Sequence, residues 1–422
     1  MAQNPPSTTD ADPSGTVRRL MYAAIAALGL LQALQGAPHY GEADFFQEYA
    51  SARNWWLDRP VYGALRDVRQ EYLPSKFEPP ATYFVEVNAH PPVAVLLVLP
   101  LGMASFTLAF RIWTVVSLAA LGVGFGWLIR RWENPPQVLT LGAVVLGLSL
   151  SIPFQEQMGH GQLNAVLLAL MLGAWHAWRT DRSTLVGVAL GAATALKLFP
   201  GFLFLPLLID RQWRALATGV ITFVGLNVLA GCVLGFDALS MYVSDVLPQV
   251  HEWRGAWGNA SLGGFWHKAF DPGVKGGAAA PLWVSPSLAK LAASLSIALV
   301  TGLTTGRIWQ RRGLNDRDGD FGLATTAMLL VSPTTWSHYL LLLTLPLAVM
   351  WTRLPHTWSA RLAFGVWLVA LGMNPLWPWF NYVGTIPRDP TSVELLTLLS
   401  LQTYLLLGQW LWQWRACAVA KS

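Results

Sequence analysis

Long apolar runs separated by short polar connections dominate the chain. A helix needs about 20 apolar residues to cross the hydrocarbon core of a bilayer. Runs of that order predict spans at 17–36, 106–130, 137–152, 160–178, 213–234, 286–309, 337–352, 361–376 and 391–414. Shorter apolar runs lie at 184–198, 200–209 and 320–332. The run 92–104 follows His90-Pro91-Pro92 and is broken by Pro100, so it reads as a re-entrant or interfacial helix. The pattern predicts an all-α, polytopic transmembrane helical bundle of about twelve spans.

Basic loops stay on the cytoplasmic side of a membrane. With Arg18 and Arg19 inside and 92–104 not crossing, Arg130/Arg131, Arg179/Arg182, Arg211/Arg214, Arg311/Arg312, Arg353/Arg361 and Arg415/Lys421 all fall inside. Residues 1–16, rich in Ser, Thr, Pro and Asp, are expected to form a disordered cytoplasmic tail. Residues 17–414 form a single transmembrane domain with outer loops at 37–89 and 235–285, and 415–422 a second cytoplasmic tail. The first loop is expected to carry short helices on the outer membrane surface. Gln35-Gly36-Ala37 resembles a signal-peptide cleavage site. The many apolar runs after it favour an uncleaved first span.

Composition agrees. Of 422 residues 54% are hydrophobic and only 12% charged, where a soluble domain carries about 25%. The mean hydropathy is +0.41. Indoles favour membrane interfaces, and there are 22 Trp. The net charge of +5 is dispersed in pairs between apolar runs, which suits topology signals and not nucleic-acid binding. Two cysteines, Cys232 and Cys417, exclude a disulfide framework and a Cys-rich metal site.

The unusual polar residues gather at predicted outer ends. Asp44, just beyond the first span, suits a general base once an acceptor hydroxyl is in reach, although a solvated loop acid is the ordinary account. Lys197 lies inside an apolar run, where a charge is costly and faces a cavity or partner such as a phosphate. Snorkelling to the interface is its alternative, and the same applies to Arg111. His160, Gln162 and Asn164 open a span where backbone donors suit anions and amides suit sugar hydroxyls, unless they serve only as caps. Asn259 sits in the second outer loop, where solvation is the default. His338, in a short outer turn, can bond a phosphate or sugar oxygen or be structural. No H-E-x-x-H, G-x-S-x-G or P-loop pattern occurs.

Together these pieces resemble the polytopic GT-C glycosyltransferases, specifically family 87, the bacterial polyprenyl-phosphate-mannose-dependent mannosyltransferases. The matching elements run in order: Asp44 to Tyr49 with Pro60-Val61-Tyr62; His90-Pro91-Pro92 to Pro100-Leu101; Gly161-Gln162-Leu163-Asn164; Leu196-Lys197-Leu198-Phe199-Pro200 before Asp210 to Arg214; Asn259 to Leu262; and Ser332-Pro333 to His338-Tyr339. The resemblance implies that Asp44 is the catalytic base and that Lys197 and His338, with Arg111, bind the donor phosphate. His160, Gln162, Asn164 and Asn259 then remain for the sugar or the acceptor.

It further implies inverting transfer of a mannosyl or related residue from a polyprenyl-phosphate donor to a glycolipid or glycan acceptor. The site would face the periplasm or cell exterior from the bacterial inner (plasma) membrane. No cofactor or metal is expected, because side chains can neutralise a monophosphate leaving group. A secondary transporter and a lipid-linked oligosaccharide polymerase or ligase are the rival readings. A transporter predicts repeated halves with midplane binding groups, and the sequence has no visible repeat.

Overall fold

In a computed structural model, residues 44–73, 86–129, 147–271, 273, 280–372 and 390–419 are described. Every regular element among them is helical. Among the described residues, three helices are long and apolar enough to cross a bilayer: Phe106–Ile129, Trp213–Leu234 and Pro286–Gln310. Their outward side chains are apolar, with Val123, Ile221 and Leu295 respectively 52%, 69% and 62% exposed. Apolar surface of that extent is stable against lipid, not water. The chain is a membrane protein.

Shorter apolar helices complete the described bundle. The runs 184–198 and 320–332 become helices Ser183–Leu196 and Arg317–Val331. The run 92–104 becomes an α-helix over Pro92–Val98 and a 3₁₀ turn over Leu99–Met103, together about 20 Å long, short of a ~30 Å hydrocarbon core. The expected first outer loop contains helices Phe45–Trp56 and Leu65–Tyr72. The expected span 17–36, most of 137–152 and the end of 361–376 lie outside the described residues.

Three expected spans are segmented. Residues 160–178 do not form one helix: Ile152–His160 ends at Gly161, in the left-handed region at φ 64°, and a new helix runs over Asn164–Arg179. Left-handed glycine is a common helix stop. The expected helix 337–352 opens as a 3₁₀ turn over Ser337–Leu343 before an α-helix over Thr344–Thr352. Pro346 offers no N–H to the carbonyl one turn back, which favours a break near that point. The run 391–414 divides into Ser392–Leu396, opened by a Thr391/Glu394 capping box, and Leu401–Val419.

Small residues set the register of the helices that carry the site. Gly187 and Gly191 of Ser183–Leu196 lie against Gly219 and its neighbours on Trp213–Leu234 so closely that a Cβ on Gly191 would come within 2.4 Å of the Gly219 carbonyl oxygen. Glycines at this spacing let two apolar backbones pack without intervening side chains. Contacts advance together along both helices, so they run parallel, and Lys197 and Leu234 emerge on the same side.

At the other end of the bundle, charges pair densely. Arg311, at 2% exposure, bonds Asp320 at 2.9 Å and also Asp316, which meets Arg353 at 2.5 Å. Arg179 meets Asp318 at 3.1 Å, and Arg317 meets Asp181 at 2.7 Å. Arginines that the sequence assigns to separate cytoplasmic loops thus converge. Helix Ser183–Leu196 has this network at its start and Lys197 at its end.

Candidate active site

Asp44 immediately precedes helix Phe45–Trp56, and aromatic packing anchors that helix start. Phe45 stacks on Trp113 with ring centroids 5.6 Å apart, and Phe106 and Phe110 close around it. Buried aromatic pairs of this kind are worth about 0.5–1.5 kcal/mol each beyond their area. Trp113 in turn donates its indole N–H to the Gly161 carbonyl at 2.7 Å. The Asp44 end is therefore fixed against the turn that carries Gln162.

That turn is sterically committed. A Cβ on Gly161 would lie 2.7 Å from Phe45 Cβ and 2.9 Å from Phe110 Cε2. Gln157 clasps the next residue, donating its side-chain amide to the Gln162 carbonyl while its own carbonyl accepts from Gln162 N.

One chain of side chains then crosses the site. Asp44 Oδ1 accepts from Gln47 at 3.1 Å, and its Oδ2 accepts from the amide of Gln162. Gln162 Oε1 accepts from Lys197 Nζ at 3.0 Å. The ammonium also reaches Asn164 Oδ1 at 3.5 Å and the Tyr339 hydroxyl at 3.4 Å, and sits 4.5 Å from the centroid of the Tyr339 ring. Lys197 is only 5% exposed. The C-terminus of its helix puts it there, amides, a phenol and an aromatic face surround it, and among the described residues no carboxylate contacts it. Such an ammonium is poised for an incoming anion.

His338 joins from the far side. Asn164 donates to its backbone carbonyl at 3.5 Å, and its ring lies 6.2 Å from that of His160. Nδ1 of His338 is 3.9 Å from Glu156, which accepts a hydrogen bond from Ser337. Among the described residues, Nε2 of His338 is buried without a hydrogen-bond partner, which leaves one ring nitrogen open to a ligand. Glu156 lies on the connecting helix Ile152–His160. Burial pushes its carboxyl up to about 7; His160 opposes the shift and Asp44 adds to it.

Asp44, His160, Gln162, Asn164, Lys197 and His338 thus share one region. Asn259 does not bond any of them. Its amide donates to the carbonyls of Arg254 (2.9 Å) and Pro333 (3.1 Å), and its oxygen accepts from Ser261 N (3.1 Å) and Thr335 N (3.0 Å). All its hydrogen-bonding capacity is used in fixing the turn before His338. Arg111 is exposed on Phe106–Ile129, and none of these hydrogen bonds reaches it.

Sequence reasoning assigns no separate site role to Glu48, His90, Glu156 or Tyr339, although all but Glu156 lie in the motifs that carry the resemblance. Glu48 is 3% exposed, with Oε1 2.5 Å from His90 Nδ1. One signal is present in the sequence: Glu48 follows Asp44 by four residues and therefore shares its helix face. The other three depend on partners distant in the chain.

The order of these elements along the sequence decides the family, whose profile matches residues 88–333 as glycosyltransferase family 87. The chain belongs to glycosyltransferase family 87. The matched segment holds His90, Gln162, Asn164, Lys197 and Asn259, and Asp44 and His338 flank it. The chain is similar to a polyprenol-phosphate-mannose-dependent alpha-(1-2)-phosphatidylinositol pentamannoside mannosyltransferase of Mycobacterium tuberculosis, 26% identical over 69% of this chain and 68% of the relative. The Mycolicibacterium smegmatis protein of the same description is 27% identical over 77% of each chain. An alpha-(1->3)-arabinofuranosyltransferase of Corynebacterium glutamicum is 32% identical over 48% of each. This family 87 protein is a glycosyltransferase, and its long apolar helices make it a membrane-embedded one.

Proposed function

We propose that the protein transfers a mannosyl or related residue from a polyprenyl-phosphate donor to a glycolipid or glycan acceptor, with inversion, on the outer face of a bacterial inner membrane. The observation that carries this reading is the Asp44–Gln162–Lys197 relay, which holds a carboxylate and an ammonium on opposite sides of one amide. An acid and a base so separated match the two ends of a displacement.

In the proposed step, Asp44 accepts the proton of the acceptor hydroxyl as its oxygen bonds to the anomeric carbon. The bond from that carbon to the phosphate oxygen breaks, and polyprenyl phosphate departs with the electron pair. Lys197 stabilises the charge that develops on it, with the free Nε2 of His338 as a second contact. Gln162 and Asn164 are left to bond sugar hydroxyls once the donor separates them from Lys197. Arg111, an exposed cation on Phe106–Ile129, is left as an outer contact for the donor phosphate, and Asn259 acts by holding the turn of His338. Direct displacement inverts the anomeric centre, so a β-linked donor gives an α-linked product. The outer-face orientation follows from positive-inside counting, and the names of the relatives support both the lipid-phosphate donor and a glycolipid acceptor.

The test is purified protein in detergent with radiolabelled polyprenyl-phosphate-mannose, a parallel polyprenyl-phosphate-arabinofuranose arm, and a membrane lipid extract. Wild-type protein should consume the mannosyl donor. Asp44→Asn should bind that donor and transfer nothing, and an active Asp44→Asn enzyme would sink the assignment.

A further inference from the structure

A cavity opens at the far end of the helix that begins beside Asp44. Its volume is about 660 Å³, and it is lined by Trp55, Trp56, Asp58, Arg59, Asp237 and Met241 among others. The 12-residue helix Phe45–Trp56 separates it from the base by about 18 Å, at 1.5 Å per residue. Leu234, which also lines it, ends the membrane helix that runs parallel to the Lys197 helix. The cavity therefore lies on the same side of the bundle as the relay.

Its chemistry is specific. Trp55 donates its indole N–H to the Val233 carbonyl at 2.9 Å and Trp56 to the Leu99 carbonyl at 2.8 Å. With both edges tied to backbone, the two rings, 4.8 Å apart and near-perpendicular, are fixed in orientation. Arg59 is neutralised by Glu71 at 2.7 Å. Among the described residues, the side chains of Asp58 and Asp237 make no hydrogen bond or ion pair. Asp58 is held in the left-handed region, at φ 54°, directly after Trp56 and Leu57.

Two unpaired carboxylates repel a phosphate, which rules against the donor head as occupant. Carboxylates are acceptor-only groups suited to hydroxyls, and an indole face suits the C–H face of a sugar ring. The size falls in the range of about 300–1,000 Å³ typical of small-molecule sites. Beside the cavity, Trp56, Leu57 and Phe236 expose apolar surface where the membrane helix ends. We infer that this cavity is a subsite for an inner, lipid-proximal neutral sugar of a lipid-borne oligosaccharide acceptor, with its hydrocarbon lying along Trp56, Leu57 and Phe236 and its outer sugars extending along helix Phe45–Trp56 to Asp44. The inference rests on the proposed transferase reading and adds where the acceptor is held.

The experiment has two arms on the full-length protein in detergent. In the kinetic arm, Trp56→Ala and Asp237→Asn should each raise the acceptor KM about tenfold, the equivalent of ~1.4 kcal/mol. The kcat at saturating acceptor and the donor KM should stay within about twofold of wild type, and Trp56→Phe should recover most of the loss. Unchanged acceptor KM, or a shift in donor KM instead, overturns the subsite. In the binding arm, methyl and octyl α-mannobioside are followed by saturation-transfer NMR. Wild type should bind both, the octyl compound more tightly, and Trp56→Ala and Asp237→Asn should lose both. Equal affinity for the two compounds overturns the lipid-borne source, and undiminished binding by both variants overturns the subsite. Wild-type protein that binds the mannobiosides through Trp56 yet consumes no polyprenyl-phosphate sugar overturns the transferase reading while the sugar site stands.

Discussion

Lys197 Nζ lies 3.0 Å from Oε1 of Gln162, whose amide donates to Asp44 from the same side chain. A glutamine is the side chain that can do this: its carbonyl faces the ammonium and its NH₂ faces the carboxylate. Without it, the opposite charges would be drawn together, and the gap that a donor sugar must enter would close.

The first prediction concerns that spacing. Lys197→Met should lower kcat by about 10²–10³, the usual cost of removing a group that stabilises transition-state charge. Gln162→Glu should be nearly as damaging, because a carboxylate there repels Asp44 and competes with the phosphate for Lys197. Steady-state kinetics on the radiolabelled donor checks both, and a Lys197→Met enzyme within about threefold of wild type contradicts the role.

Glu156 predicts a pH dependence of stability. Its folded pKa is raised to about 7, chiefly by burial, against about 4.3 in an unfolded chain. The folded state therefore keeps a proton that the unfolded state has lost. Its contribution is complete below about pH 4.3 and declines as pH rises to about 7. The Tm in detergent should fall across this window, and Glu156→Gln should remove that part of the slope. Identical slopes for the two proteins would count against the assignment.

Gly161 should resist substitution. Alanine there meets both an unfavourable φ of 64° and the Phe45 and Phe110 side chains, a cost of about 1–3 kcal/mol from backbone strain alone. Gly161→Ala should lower Tm and reduce kcat together, because the same turn positions Gln162. Gly122→Ala, where a Cβ meets nothing within 4 Å, is the control and should leave both unchanged.

The charged network at the opposite end predicts non-additivity. Arg311→Met strands the buried Asp320 and should cost about 3–5 kcal/mol of stability. The double variant Arg311→Met/Asp320→Leu should cost less than Arg311→Met alone, since no buried charge is left unpaired. Denaturation of the single and double variants in detergent measures the coupling, and simple additivity would contradict it.

Much of the site is legible in the amino-acid sequence. A lysine inside an apolar run is conspicuous because lipid makes an unpartnered charge expensive, so Lys197 marks a cavity whatever the fold around it. The amides of Gln162 and Asn164 stand out for the same reason. Glu48 shows only its four-residue spacing from Asp44 and Glu156 shows nothing, because no other local feature distinguishes a buried acid from a solvated one. Their partners, His90 and Ser337, lie 42 and 181 residues away in the chain. Asn259 shows the converse: its amide invites a reading as a sugar ligand, while four backbone groups already occupy it.

By itself, the sequence determined the solvent and the chemistry in outline. Apolar periodicity is dictated by lipid, and the pairing of arginines with helix ends follows from the cost of moving charge across it. The helix interruptions at Gly161 and within 337–352 have local causes, a left-handed glycine and Pro346, and what tertiary structure decided is that the Gly161 turn lies against Phe45, Phe110 and Trp113. Tertiary structure also decided that Asp44 and Lys197 meet in one region. They lie 153 residues apart, and close packing of Phe45 on Gly161 holds Asp44 against the turn of Gln162, so that one glutamine spans the distance to Lys197.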